Sequence, residues 1–307
     1  MRIVYMGTPD FAATVLGGLC DAGHDVVGVI SQPDRPKNRG MQMVMTAVKA
    51  EALQRGLPVF QPETLKDGAI KPYLDEMQPD IIVVVAYGRL LPQYVLTYPK
   101  HGCINMHASL LPKYRGAAPI QWSIINGEKE TGITAMHMEA GLDTGDIILQ
   151  KKTDILPSDT AESLHDRLAD IAVQTAIESL AKIEKGTATR QKQDDNLASY
   201  APLLQKDTGR IDWTASSDSI VNLVRGLSPR PGAYTFWNEA RVKVLSAEKT
   251  IGNGRAGEVL DSQDRLVVAT GDGAIEITMM QLPGKRAMTA SACMQGNRIQ
   301  KQTILGE

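Results

Sequence analysis

Ile81-Ile82-Val83-Val84-Val85-Ala86 is a continuous apolar run, β-branched through its first five residues. Alternate side chains of a strand point to opposite faces, so a run that is apolar at every position suits a strand covered on both sides, as at the centre of a parallel sheet. Upstream, Arg2-Ile3-Val4-Tyr5-Met6 is a second short strand-like run, stopped at Gly7 and followed by Phe11, Val15, Leu16 and Leu19 at helical spacing. Val26 to Ile30 supplies another strand. Strands alternating with helical stretches predict a doubly wound, mostly parallel α/β domain.

In such a sheet, ligands bind beyond the carboxyl ends of the strands. Gly7 to Asp10, Gln32 to Arg39 and Tyr87-Gly88-Arg89-Leu90-Leu91-Pro92 fall at three such ends. The first turn has no Gly-x-Gly-x-x-Gly, since the next glycine after Gly7 is Gly17, and this argues against a dinucleotide cofactor. Leu164 to Ile183 has a helical period closed by Lys185-Gly186. The polar stretch Thr187 to Lys206 reads as a linker between an N-terminal domain, 1–186, and a C-terminal domain, 207–307. In the latter, a helix around Ser217 to Leu227 precedes strand-like runs at 233–237, 242–247, 257–260, 266–270 and 274–280, the pattern of a small β-barrel.

A chain of 307 residues exceeds one comfortable core, and 43% hydrophobic with 22% charged residues is ordinary globular composition. The N-terminal apolar run lacks the long core of a signal peptide, and no run approaches membrane-spanning length, so a cytoplasmic protein without a membrane partner is expected. Cys20, Cys103 and Cys293 are odd in number and far apart, without metal-ligand or disulfide spacing; they read as buried thiols, and no metal is expected. The net charge of −2 carries no signature of a nucleic-acid partner. The C-terminal part from Ala201 holds 13 basic and 11 acidic residues, too small an excess to indicate one either.

Chemistry concentrates in Cys103-Ile104-Asn105-Met106-His107-Ala108-Ser109-Leu110-Leu111-Pro112-Lys113-Tyr114-Arg115-Gly116. In an extended chain Asn105 and His107 share a face, which places an amide donor beside an acid–base group, a pairing suited to acyl transfer. The same spacing occurs on solvated strand faces and in satisfied core pairs. A second strand-like segment, Gly132 to Met138, weighs towards a site because it runs into the acidic turn Gly141-Leu142-Asp143-Thr144-Gly145-Asp146, able to bring Asp143 beside His107. His137 reads as a structural histidine in an apolar strand, and Asp146 is the competing carboxylate.

Three features in order, Asn105-x-His107, the loop Ser109-Leu110-Leu111-Pro112 with Arg115-Gly116, and the turn Leu142-Asp143-x-Gly145, resemble the formyltransferases that use 10-formyltetrahydrofolate. Met6 to Phe11, Gln32 to Pro36, Arg225 to Tyr234 and Gln281 to Arg286 extend the resemblance over nearly the whole chain. It implies a Rossmann-like catalytic domain, an OB-like C-terminal barrel and 10-formyltetrahydrofolate as formyl donor, without a metal. The implied catalytic residues are Asn105, His107 and Asp143. Asn105 would donate to the developing oxyanion, a contact whose loss can cost about 3 to 4 kcal/mol in barrier height. His107 would donate to the oxyanion or relay protons, and Asp143 would orient the ring, favour its charged form or pass a proton through water. Ser109, Leu110, Leu111 and Pro112 match the family's folate loop. Arg89, Leu90 and Leu91, with the backbone at 140–143, match segments lining the pterin pocket.

The resemblance further implies a monomer that formylates the amino group of methionine on initiator methionyl-tRNA. Arg35, Lys37 and Arg39 would then reach phosphates of the acceptor stem. Many members follow Arg-Gly with lysines where this chain has Met41, Gln42 and Met43. Arg225, Arg230, Lys243, Lys285, Arg286, Arg298 and Lys301 would form a basic track on the barrel. A relative acting on a small amine, an amino-sugar nucleotide or glycinamide ribonucleotide, would share the same three catalytic residues.

Overall fold

The computed structural model describes residues 1–37, 42–296 and 298–306. The chain forms two compact units, each assembled from separated segments: Met1–Gly116, Thr131–Thr153 and His165–Ala201 in the first, Ala117–Glu130, Asp154–Leu164 and the chain from Pro202 onward in the second. Residues 187–201, read from sequence as linker, are hydrogen-bonded into the first unit: Gln191 bridges Ile147, and Tyr200–Ala201 pairs in parallel with Arg115–Gly116.

The first unit is built on a seven-stranded sheet in the spatial order Ile147–Asp154, Glu130–His137, Cys103–His107, Ile81–Val85, Arg2–Gly7, Asp25–Ile30, Val59–Phe60. The five strands from Cys103–His107 to Val59–Phe60 run parallel, with Tyr5 opposite both Val83 and Val29, and Val83 opposite Ile104. Glu130–His137 joins antiparallel, with His107 opposite Thr134. Each residue of Ile81–Val85 is at most 4% exposed, as the β-branched run predicts. Burying each such aliphatic side chain contributes about 1.5 to 3 kcal/mol. Two residues, Thr8 and Pro9, separate the first strand from the helix Asp10–Asp21. Gly7 is needed at that turn for space: a Cβ there would lie 2.7 Å from Ala12 Cβ and 3.0 Å from the Val85 carbonyl. The expected helix at 164–183 extends over Ala161–Glu184 and is followed by Gly186, whose φ of +68° favours glycine.

The second unit carries an antiparallel sheet in the order Ala233–Trp237, Ala240–Thr250, Ala274–Gln281, Leu266–Ala269, Val259–Asp261, with Met288–Thr289 also paired to Ala274–Gln281. The expected small barrel thus takes the form of an antiparallel sheet in linear strand order among the described residues, packed around Trp213, Ile220, Val224, Val244, Val268 and Ile277. The helix Ser217–Leu227 is capped by Ser216, whose hydroxyl accepts from Ser219 N at 3.2 Å. Among the described residues, no helix is long and apolar enough to cross a membrane.

Candidate active site

Asn105 and His107 end the strand Cys103–His107 at the carboxyl edge of the sheet. His107 is 6% exposed, with both ring nitrogens facing oxygens: Nε2 lies 2.9 Å from the Tyr114 carbonyl, and Nδ1 lies 3.6 Å from Asp143 Oδ2. A carbonyl can only accept, so Nε2 carries a hydrogen. The Nδ1 separation is an ion-pair distance rather than a hydrogen bond. Asp143 Oδ2 also accepts the Gly116 backbone N–H at 2.8 Å. The Asn105 side chain is partly exposed and has no hydrogen-bond partner among the described residues. It is an amide free to bind something else.

Two backbone conformations hold this arrangement. Tyr114 has φ +61° and Asp143 φ +53°, in the left-handed region, which costs a non-glycine residue roughly 1 to 3 kcal/mol. The turn bearing Asp143 packs closely on the neighbouring strand, since a Cβ on Gly145 would collide with the His137 carbonyl.

The loop after His107 is not a loose surface turn. Ser109 is fully buried and donates to the Lys113 carbonyl at 2.6 Å. Buried Thr134 donates to the Ser109 carbonyl at 2.6 Å and accepts from Leu111 N at 3.1 Å. Gln150 Nε2 donates to the Leu111 carbonyl and to Thr134 Oγ1, both at 2.9 Å. Leu111 is 3% exposed, Leu110 and Pro112 are half-buried, and the Leu111–Pro112 peptide is cis.

The segment after Ile81–Val85 divides by role. Leu91 is buried in the core, Leu90 is 74% exposed, and Arg89 donates to the carbonyls of Pro62 and Glu63 at 3.2 and 2.8 Å. Arg35 is exposed in the short strand Arg35–Lys37, its Nη2 donating to Gln32 Oε1 at 3.4 Å. Lys37 ends that strand, and Arg39 lies outside the described residues. In the second unit, Arg225 Nη1 donates to the carbonyls of Leu156 and Asp159, and Lys243 Nζ to that of Pro231, so both cations are engaged in the fold.

The competing residues sit elsewhere. His137 is 9% exposed, and burial, with Arg190 nearby, pushes its pKa down to about 4. Asp146 lies 3.7 Å from Arg190. Sequence reading missed three contributors: the Tyr114 carbonyl, the Gly116 N–H, and Gln193, whose amide donates to the Asp143 and Gly145 carbonyls at 2.8 Å each. Backbone groups leave no residue signature, and Gln193 stands in a polar stretch without periodicity.

The fold and this pair of polar groups at the sheet edge define an acyl-transfer type of enzyme, and comparison with known proteins narrows the class. Residues 1–180 match the family described as Formyl transferase, and residues 203–298 match Formyl transferase, C-terminal domain. The chain belongs to the formyl transferase family. It is 46% identical, over all of its length and 99% of the relative's, to a protein of Geobacter metallireducens named methionyl-tRNA formyltransferase. A protein of the same name from Caldanaerobacter subterraneus is 47% identical, covering 99% of this chain and 100% of that one. Among solved structures, a methionyl-tRNA formyltransferase from Clostridium thermocellum shares the fold at TM-score 0.58 and 19% identity, over 82% of this chain and 95% of that one. The sugar 3N-formyl transferase WlaRD, crystallised with dTDP and 5-N-formyl-THF, does so at TM-score 0.68 and 21% identity, over 93% and 99%.

Proposed function

We propose that this enzyme transfers the formyl group of 10-formyltetrahydrofolate to the α-amino group of methionine on initiator methionyl-tRNA, in the cytoplasm. The observation that carries the reading is the full-length identity of 46 to 47% to proteins of that name, spanning both units. The proposed catalytic domain, expected at 1–186, takes in the segment 187–201 that is bonded to it, and the proposed tRNA-binding domain is 207–307.

The donor would lie along the carboxyl edge of the sheet. Peptide groups of the 86–91 turn, where Ala86 and Gly88 have φ of +44° and +82°, and of the 140–143 turn suit the amide-like edge of a pterin. Leu90, exposed, and Leu110 offer apolar wall. When bound, the donor supplies an activated formyl carbon.

In the reaction the amine nitrogen bonds to the formyl carbon, the bond from that carbon to the folate nitrogen breaks, and one amine proton replaces it on the folate. Asn105, with an uncommitted amide, donates to the formyl oxygen as negative charge builds there. The His107–Asp143 pair handles the proton on its way from the amine to the departing nitrogen. The Tyr114 carbonyl holds the imidazole and the Gly116 N–H holds the carboxylate. Arg35, Lys37 and Arg39 are proposed to contact acceptor-stem phosphates.

The test is formyl transfer to methionine charged on initiator tRNA, beside elongator methionyl-tRNA, uncharged tRNA and a panel of amino-sugar nucleotides and glycinamide ribonucleotide. Selective product on the initiator is expected. Transfer to a small amine with none to the charged tRNA would overturn the reading in favour of a small-amine enzyme.

A further inference from the structure

We infer that the segment 191–201 is a strap that positions both oxygen partners of His107, with Gln193 and Ser199 as its two positioning residues. The inference rests on the proposed role of His107 and Asp143 in formyl transfer.

At one end, Gln193 brackets the turn that carries Asp143. Its Nε2 donates to the Asp143 and Gly145 carbonyls at 2.8 Å each, while its Oε1 accepts from Arg115 Nε and Nη2 at 3.2 and 2.8 Å. All the hydrogen-bonding capacity of the amide nitrogen is thus spent on the backbone of one turn. Arg115, only 2% exposed, returns to the same segment through Asp195 Oδ1 at 2.8 Å. At the other end, Ser199 Oγ accepts from Tyr114 N at 2.9 Å, and Ser199 O accepts from Arg115 N at 2.8 Å. Tyr114 is the residue whose carbonyl takes the His107 Nε2 hydrogen.

The two residues so held, Tyr114 and Asp143, are the non-glycine residues beside His107 whose backbones are left-handed. Neither conformation is locally favourable, so surrounding bonds must supply what holds it. The strap is itself anchored at each end, by the Gln191–Ile147 bridge and by the pairing of Tyr200–Ala201 with Arg115–Gly116. The chemistry at position 193 is specific: two hydrogens must point at carbonyls while an oxygen faces a guanidinium. A glutamate keeps the shape and the arginine contact but sets negative charge against two carbonyls.

A double-mutant cycle in the full-length enzyme separates positioning from simple support of the fold. Gln193→Ala and Gln193→Glu are expected to lower kcat about 10- to 100-fold, the penalty of a small misplacement at the reacting centre, with KM for the formyl donor nearly unchanged. Ser199→Ala should lower kcat by a smaller factor, since Ser199 O still holds Arg115 N. In an Asp143→Asn background, Gln193→Ala should cost little more, because Gln193 acts through Asp143. The same fold-loss in both backgrounds, or a loss that follows the melting temperature, would overturn the inference; Gln193→Glu, matched in size, guards against a folding artefact. Should Asp143→Asn leave kcat intact, the proposed role of Asp143 falls and the strap's function with it. Full activity of both Gln193 variants beside a crippled Asp143→Asn would sink the strap alone.

Discussion

His107 Nδ1 and Asp143 Oδ2 lie 3.6 Å apart, both largely withdrawn from solvent, although 36 positions separate them in the chain. The carboxylate is fixed by the Gly116 N–H and the imidazole by the Tyr114 carbonyl, so the pair is set by the protein before substrate arrives. Asp143→Asn keeps an oxygen for Gly116 but removes the charge and the proton acceptor. It should lower kcat roughly 10²- to 10⁴-fold, the usual worth of acid–base catalysis, and lower stability by about 1 kcal/mol. Steady-state kinetics beside urea unfolding measure both; a kcat within a factor of about two would remove Asp143 from the chemistry.

Asn105 is the opposite case, a polar side chain that bonds to nothing among the described residues. Its removal should therefore cost catalysis and not folding. Asn105→Ala is expected to lower kcat about 10²- to 10³-fold, with unfolding free energy within about 0.5 kcal/mol of wild type. A large loss of stability would show that the amide has a structural duty instead.

Gly145 leaves no room for a methyl group, because its Cβ would occupy the place of the His137 carbonyl. Gly145→Ala should force the acidic turn away from the strand Glu130–His137, at about 1 to 3 kcal/mol of stability, and move Asp143 from His107. Thermal melts and kcat should fall together; a variant as stable and active as wild type would refute this close packing.

His137 is held neutral by burial, its pKa pushed from 6.5 down to about 4. The unfolded chain then binds the proton more readily than the folded one between those values. The contribution to stability is therefore complete above pH 6.5 and is lost as pH falls towards 4. It amounts to at most about 3 kcal/mol. Urea unfolding of the wild type and His137→Gln at pH 7.5 and pH 4.5 should show the smaller acid loss in the variant. Equal acid losses would contradict the assignment.

Arg35 is exposed beside the proposed acceptor-stem contact. Arg35→Gln should raise KM for the charged tRNA and flatten its dependence on salt by about one unit of logarithmic slope, leaving KM for the formyl donor alone. An unaltered slope would make Arg35 a solvated surface cation.

Much of this was legible in the chain. The β-branched run at 81–85 announced a strand buried on both faces, and the expected helix at 217–227 coincides with Ser217–Leu227. The strand Ala233–Trp237 also coincides with the strand-like run read at 233–237. These elements are fixed by local periodicity, which the sequence displays directly. Asn105 and His107 were readable as one face of a strand for the same reason.

The sequence by itself thus determined these elements, the parallel sheet edge that bears the polar residues, and the residue types available there. Only the tertiary structure decided that Asp143 meets His107, that the Tyr114 carbonyl and Gly116 N–H hold them, and that the polar stretch around Gln193 is bonded into the first unit rather than spanning open solvent. Periodicity reports which face of an element is buried. Contacts made by backbone carbonyls and amides, between segments up to 85 residues apart such as Tyr114 and Ser199, carry no side-chain pattern and exist only once the chain has closed on itself.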